Sequence, residues 1–234
     1  MLTNYVTREE LYQFANISDY VADQDEVDTA LGTAAYTLAE TLRGRGIDPA
    51  RVQIPRMFTD IEQYETVNYL AGSHTTDAVV AGNESRLVLE LRTAVTTPVV
   101  VSLEGSQDGT IWRTVKDVRG RHATIQAQAD GTFSVLFVPR HAQYRATITC
   151  EETIDAALYL VDTAPDACIR WKAIESALFP RIDRDTTIES VWSNARTSYA
   201  EALARLVMDY DTDGSGTIDA GETSTRLNVV RAYR

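Results

Sequence analysis

In the segment "RLVLELR", Arg86–Arg92, the hydrophobic period along the chain falls to two residues, which is typical of strands that bury one face. Six further short runs rich in Val, Ile, Thr and aromatic residues follow it, separated by Gly, Asp and Pro turns: "TPVVVSLEG", "TIWRTVKD", "HATIQAQA", "TFSVLFV", "YRATITC" and "DAALYLVD". Asp108-Gly109 and Asp130-Gly131 are typical hairpin turns. The seven runs together predict a small antiparallel β-sandwich.

The sequence on either side of this β region follows a helical period. A capping box formed by Thr7 and Glu10 opens a first short helix. Two apolar stripes before the β region predict a second and a third helix: Val27, Leu31, Ala34, Ala35, Leu38 and Leu42, and then Met57, Ile61, Tyr64, Val67 and Leu70. Two stripes after it predict a return helix and a last long helix: Ile169, Ala173, Ala177 and Leu178, and then Val191, Ala195, Tyr199, Ala202, Leu206 and Tyr210.

This order predicts an α+β fold, in which a bundle of about four helices carries an antiparallel β-sandwich domain between its third and fourth helices and ends in an extended C-terminal arm. We place the N-terminal part of the bundle at residues 1–80, the sandwich at 81–162, the C-terminal part of the bundle at 163–210, and the final loop and arm at 211–234. Two separate domains in tandem are the alternative, but each helical half is too small to bury its own stripe.

An acidic segment lies near the C-terminus, in "DYDTDGSGTIDAGE", Asp209 to Glu222, which holds five acidic side chains and no basic one. Carboxylates this close repel one another, and the Gly, Ser and Thr residues between them supply no positive charge. The segment is therefore either a solvated acidic turn or a site for a cation.

From Asp211 onward, the twelve residues "DTDGSGTIDAGE" match the calcium loop of an EF-hand at each coordinating position. The predicted ligands are the side chains of Asp211, Asp213 and Ser215, the carbonyl of Thr217, Asp219 through a water, and two oxygens of Glu222. Gly216 stands at the sharp turn, where φ is positive. Such loops usually pair, and the chain has no second one, so we expect a weak structural calcium site with a Kd on the order of 10⁻⁴ M.

The composition of the chain limits the partners and the cellular location that we expect for the protein. The chain has 234 residues and a formal net charge of −12, with no evident basic patch, so nucleic acid or an anionic membrane is not expected as its main partner. No apolar run approaches the roughly 20 residues of a membrane-spanning helix, and the N-terminus lacks the pattern of a secretory signal. Cys150 and Cys168 are expected to be reduced core thiols, as in a protein made in the cytoplasm.

No set of residues in the sequence forms a persuasive catalytic motif. His74, His122 and His141 lack metal-ligand spacing, and each is expected on the surface or in a turn. A G-x-S-x-G motif is missing, and neither cysteine stands beside a plausible base in sequence, so we expect no enzyme activity. Trp112, in the hairpin "SLEGSQDGTIW", is a possible sugar-stacking residue, although core packing is the simpler role.

The layout resembles the head-to-tail connector (adaptor) proteins of long-tailed bacteriophages. The resemblance lies in the short helix "TREELYQFAN", the long "EVDTALGTAAYTLAETLRGRGID", a helix after "VQIPRMF", and the later helices "DACIRWKAIESALFPRI" and "VWSNARTSYAEALARLVMDY", the last of which runs into the Asp/Gly-rich stretch. These parts cover a little over half of the chain. The β-insertion and the complete EF-hand-like loop depart from the minimal adaptor, although inserted sandwiches resemble the decorations of phage structural proteins.

The resemblance implies a structural virion protein of the neck, made in the host cytoplasm. Such a protein forms a homo-oligomeric ring below the portal protein, contacts tail-side neck proteins (a stopper or a tail terminator), and lets DNA pass without sequence specificity. Acidic walls suit this channel because duplex DNA does not stick to them. The C-terminal arm would grip the portal through Leu227, Val229, Val230 and Tyr233. A calcium ion would fix the angle between the last helix and this arm.

Two other classes of protein fit parts of the sequence. A calcium-stabilised carbohydrate-binding protein would use the β-sandwich, with Trp112 and its neighbouring loops as the sugar site. A cytosolic EF-hand regulator is disfavoured because the second loop that such proteins use is missing.

Overall fold

The computed structural model describes residues 2–15, 17–21, 23–52, 54–58, 68–80, 82, 84–211, 213–215 and 227–228. These residues form four α-helices and antiparallel β-sheets, so the fold is mixed α+β. The chain divides into two compact units. The helical unit consists of Met1–Ile54 and Ala164–Arg234, and the β unit consists of Pro55–Thr163.

The helical unit takes two α-helices from each of its two segments. They are α1 (Arg8–Ala15), α2 (Gln24–Gly44), α3 (Asp166–Leu178) and α4 (Thr186–Arg205), with 3-10 turns at Ile17–Asp19, Pro49–Arg51 and Phe179–Arg184. Side chains that accept backbone N–H bonds start three of the α-helices, namely Thr7 for α1, Asp23 for α2 and Asp185 for α4. None of the described helices is long and apolar enough to span a bilayer.

The core of the helical unit lies along α2, and the predicted stripe of this helix is confirmed. Val27, Leu31, Ala34, Ala35, Leu38 and Leu42 are all buried. α3 packs against both α2 and α4, and it contributes the predicted residues Ile169, Ala173, Ala177 and Leu178. The helices before and after the β unit therefore share one hydrophobic core.

The β unit contains eleven described strands, and most of them are short. They are β1 (Arg56–Met57), β2 (Asn68–Tyr69), β3 (Gly72–Thr75), β4 (Val79–Val80), β5 (Glu84–Leu91), β6 (Val99–Ser106), β7 (Arg113–Thr114), β8 (Thr124–Ala127), β9 (Gly131–Leu136), β10 (Gln143–Cys150) and β11 (Ile154–Asp162). One sheet has the order β1-β11-β5-β9 with β2 also on β11. The other has the order β3-β10-β6-β7, with β4 on β10 and β8 on β6.

A single hydrophobic core takes side chains from both of these sheets. Leu87 and Leu89 of β5 belong to the same buried cluster as Val101 and Leu103 of β6 and Ile148 of β10. The residues of β6 and β10 alternate along their strands with less buried ones, as expected for strands that turn one face to a core, whereas in β5 the intervening Val88 is buried as well. All seven runs recognised in the sequence contribute strands to these two sheets.

The predicted third helix is wrong at both of its ends. Met57 lies in β1 opposite Tyr159, and Tyr69 lies in β2 opposite Ile154, so the backbone there is paired with β11. Residues 59–67, the middle of that stripe, lie outside the described residues. Among the described elements the sheets therefore fall between α2 and α3, and the β unit begins at Pro55 instead of residue 81.

The end of the last helix also differs from the prediction. α4 stops at Arg205, so Leu206 and Tyr210 lie beyond it. Leu206 takes an extended conformation with φ −62° and ψ 119°, and the chain enters β12 (Val207–Met208). β12 pairs antiparallel with β13 (Leu227–Asn228), with Met208 opposite Leu227. The predicted arm is thus a paired strand at Leu227, whereas Val229, Val230 and Tyr233 lie outside the described residues.

Candidate functional site

The acidic loop follows β12 and is anchored in the helical unit at its start. Tyr210 forms an isolated antiparallel bridge with Val52, and the Asp211 N–H donates to the Arg51 carbonyl at 2.9 Å. The pairing of β12 with β13 brings together the two chain segments that flank the loop. Asp211, the first coordinating residue of the predicted calcium loop, is therefore held by its backbone bond to Arg51 and follows a strand that is itself paired.

The carboxylate of Asp211 organises the first turn of the loop. Its side chain is buried, and Oδ1 accepts the N–H groups of Gly214 at 2.6 Å and Ser215 at 3.2 Å. The Asp213 Oδ1 accepts the Ser215 N–H at 2.9 Å. These bonds fold Asp211, Asp213 and Ser215 into one tight turn, so three of the predicted ligands lie in the same short stretch of structure.

Glycine is required at a position that the sequence analysis did not identify. Gly214 has a φ of +78°, and a Cβ built there would lie 2.8 Å from a guanidinium nitrogen of Arg51. The EF-hand pattern predicts the positive φ at Gly216, which lies outside the described residues. The turn between Asp211 and Ser215 thus depends on the backbone freedom of Gly214, whereas the Arg51 guanidinium stands at the end of a flexible side chain and could move aside.

The remaining predicted ligands, Thr217, Asp219 and Glu222, lie outside the described residues. Within the part of the chain that the structure describes, no three His, Cys, Asp or Glu side chains form a group that could hold a metal ion. Calcium binding by the complete loop stays a prediction. The described turn would supply two carboxylates and a hydroxyl, which are oxygen ligands of the kind that calcium takes.

Replacing Glu222 by Gln is expected to weaken calcium binding by about tenfold or more, because it removes the bidentate anionic ligand that closes the loop. Titration calorimetry of the full chain with CaCl₂ measures the effect. Glu201→Gln is the matched control, since Glu201 lies on the exposed face of α4 and pairs only weakly with Arg205, at 3.8 Å. Equal calcium affinity in the Glu222 variant and the control would disprove the ligand assignment.

Trp112, the possible sugar-stacking residue, is half-buried just before β7. The guanidinium carbon of Arg145 lies 4.4 Å from the centroid of its ring, and Arg145 also forms an ion pair with Glu104 at 2.7 Å. A cation over the face of an indole is a favourable arrangement. One face of Trp112 is therefore covered by the protein itself, and a sugar stacking on that face would have to displace Arg145.

The two thiols have the character of core residues, as predicted. Cys150 and Cys168 are free and buried. Burial raises the pKa of the Cys168 thiol to about 12, and burial also raises the pKa of Cys150. A thiol is a nucleophile only as the thiolate, so neither side chain is activated at neutral pH.

One cluster of charged residues was missed by the sequence analysis. Arg113, Lys116 and Arg140 line a common groove with His141 in the β unit. The sequence does contain part of the pattern. Residues 113–121 hold four basic side chains and one acidic one, in a chain with a net charge of −12. Arg140 is distant in sequence and joins the cluster only through the fold.

Comparison with known proteins identifies no family. No protein-family model and no curated protein matches the chain. Among solved structures, the chain is similar to one described as "Crystal structure of PirA", with 9% sequence identity and a TM-score of 0.30. The match covers 43% of this chain and 99% of that one.

Proposed function

We propose that this chain is a structural protein of a phage virion, a head-to-tail connector that forms a ring below the portal and joins head to tail. The observation that carries the proposal is the helical unit, in which α1 and α2 share one core with α3 and α4 and the last helix leads into an acidic loop closed by β12 and β13. The resemblance to connectors rests on this order, except for the helix expected after "VQIPRMF", where the strand β1 stands instead.

The finer architecture belongs to the same proposal. The β unit would be a β-sandwich inserted into the helical bundle, because its two sheets share one core and both segments of the helical unit share another. Insertion in a loop leaves the parent fold intact, and it is a common route by which domains grow. The sandwich would then be a decoration of the kind that phage structural proteins carry.

The acidic loop would act as a clip between α4 and the arm. Asp211 is already held by Arg51 and by its own turn, so calcium would link the predicted ligands Thr217, Asp219 and Glu222 to this turn without any new core. The acidic chain would line the DNA channel, where like charge keeps the duplex mobile.

Exposed aromatic side chains on the helical unit support contact with other subunits. Phe179 at the end of α3 is 64% exposed and packs beside Trp192 of α4, and Tyr36 of α2 is 56% exposed. Large aromatic residues are enriched in protein interfaces. In the proposed assembly these residues lie in the contact between neighbouring copies, while the arm binds the portal or a tail-side neck protein.

The direct test is electron microscopy of the protein co-expressed with the portal of the same particle. A closed ring of this chain seated on the portal ring is the expected result. A chain that stays monomeric and never co-purifies with portal or neck proteins would contradict the connector assignment.

Deleting residues 229–234 is expected to abolish assembly on the portal while the monomer stays folded. The deletion removes Val229, Val230 and Tyr233 but keeps Leu227–Asn228, so the pairing with β12 is retained. Circular dichroism checks the fold, and co-purification with portal checks the assembly. The matched control is Arg231→Ser, which changes one charge and leaves the apolar contacts. The arm hypothesis is wrong if the shortened chain assembles as well as the control.

A further inference from the structure

A cationic groove lies on the surface of the β unit. Its walls are the segments 113–120 and 138–141, and its volume is about 510 Å³. Arg113, Lys116 and Arg140 are exposed, and none of the three forms an ion pair with another described residue. Concave sites of this size are typical of binding sites for small molecules and single residues of a polymer.

The acidic residue of the groove does not neutralise these cations. Asp117 is buried, its Oδ1 accepts the N–H groups of Arg119 and Arg121, and its Oδ2 lies 3.0 Å from the Arg121 guanidinium. Burial raises the pKa of Asp117, but these donors outweigh it and hold the pKa below its usual value. The carboxylate is thus satisfied internally by Arg121, and the groove keeps an excess of positive charge.

Sheet and turn contacts hold the backbone that carries the three cationic side chains. Arg113 lies in β7 opposite Gly105, and Lys116 forms an isolated bridge with His122. The hydroxyl of Tyr144, a fully buried residue of β10, accepts the N–H groups of Arg140 at 3.0 Å and His141 at 3.2 Å. The backbone positions of the groove are therefore preorganised, which lowers the entropy cost of binding.

A second depression of about 220 Å³ adjoins the first, because Arg113 and His141 line both. Its other walls are the polar residues Ser106, Gln107 and Asp108 at the end of β6, together with Gly105 and the apolar side chain of Ile111. The backbone N–H groups of Ile111 and Thr110 hold the pKa of Asp108 well below its usual value, so this residue is a permanent hydrogen-bond acceptor. The site thus has a cationic half and a half with an anionic acceptor.

We propose that this two-part groove binds an acidic saccharide, with a carboxylate or sulfate group on the Arg113, Lys116 and Arg140 side and sugar hydroxyls on the Gln107 and Asp108 side. Sugar hydroxyls donate as well as accept hydrogen bonds, so they satisfy a carboxylate that would repel a second anionic group. A polyphosphate backbone presents closely spaced anions without such donors, and it would meet Asp108 unfavourably. An acidic peptide carries backbone N–H donors as well, so it is distinguished by experiment. The proposal concerns the β unit alone and does not depend on the connector assignment.

Binding of alginate oligosaccharides, which carry a carboxylate on every ring, tests the proposal by titration calorimetry of the full chain. Neutral dextran oligosaccharides of matched length are the control ligand. Binding of alginate that weakens as salt rises, with no binding of dextran, is expected because exposed cations are screened. The triple variant Arg113→Gln, Lys116→Gln, Arg140→Gln is expected to lose affinity by tenfold or more.

Two controls separate a saccharide site from simple charge attraction. The triple variant Arg43→Gln, Arg92→Gln, Arg205→Gln makes the same change in net charge elsewhere and should bind alginate as the unaltered chain does. Asp108→Asn keeps the Oδ1 acceptor of the turn but removes the negative charge, and it should weaken alginate binding while strengthening binding of tripolyphosphate. The proposal is overturned if alginate does not bind, if both triple variants bind alike, or if polyglutamate or duplex DNA binds as tightly as alginate.

Discussion

Replacing Leu38 by Ala is expected to lower the free energy of unfolding of the helical unit by about 2–5 kcal/mol. Leu38 is fully buried in α2, between turns of the helix that also bury Ala34, Ala35 and Leu42. Alanine removes buried methyl groups and leaves a cavity that a close-packed core fills only in part. A change of this size is a large fraction of the stability of a typical domain.

Urea denaturation followed by tryptophan fluorescence measures this loss. Trp171 and Trp192 pack against the helical core, whereas Trp112 lies in the β unit, so a Trp112→Phe background reports on the helical unit alone. Tyr36→Ala is the matched control, because Tyr36 lies in the same helix and is 56% exposed. An equal loss of stability in both variants would show that α2 does not bury the face described here.

Replacing Gly105 by Ala is expected to cost about 1–3 kcal/mol and to disrupt the cationic groove. A Cβ at position 105 would lie 2.4 Å from Cδ2 and 2.9 Å from Cβ of His141. The second of these atoms is next to the backbone, so rotation of the ring cannot relieve the overlap. His141 lines both depressions of the groove, and its displacement removes a wall from each.

Gly32→Ala provides a control in which the same substitution is expected to change the stability in the opposite direction. Gly32 is an exposed residue within α2, and a Cβ there meets no atom within 4 Å. Alanine at this position should stabilise the chain by about 0.5–1 kcal/mol because glycine is unfavourable inside a helix. Thermal denaturation of both variants, with alginate titration of the first, gives the comparison. If Gly105→Ala is neutral for stability, then His141 does not pack on β6.

The elements that sequence alone predicted well are those with long, regular periods. The six-residue stripe of α2 and the four residues of α3 are buried as expected, because a helix that hides one face must repeat apolar residues at that spacing. The alternation in Arg86–Arg92 likewise marked β5. Local pattern and tertiary packing agree in these segments, so a prediction from either one gives the same answer.

The predicted third helix shows where the spacing of apolar residues along the sequence misleads. Met57 and Leu70 fit a helical stripe, but the short strands β1 and β2 pair with β11, which lies about a hundred residues further along the chain. The polar segment that contains β3 and β4 carries neither a helical stripe nor one of the seven strand-like runs. Its residues pair with β10 through their backbone, and backbone hydrogen bonds leave little trace in side-chain composition.

The acidic loop and the cationic groove differ in how far apart their residues lie in the sequence. The start of the acidic loop could be predicted because its residues are consecutive, and the turn between Asp211 and Ser215 is local. The groove could not, because Arg113 and Arg140 meet only through the pairing of β6 with β7 and β10. Charge that is dispersed along a sequence becomes a patch only when the strands are assembled.

The short pair of β12 and β13 limits how far the C-terminal segment can extend. Two described residues on each strand are paired. If that pair opened under tension, the contacts of Tyr210 and Asp211 with Val52 and Arg51 would remain, and the fifteen residues between Asp211 and Leu227 could extend. Fully extended, they span roughly 50 Å. A cation bound across residues 211–222 would keep most of these residues from extending. The distance that the chain end can move under tension would therefore depend on whether the loop holds a cation.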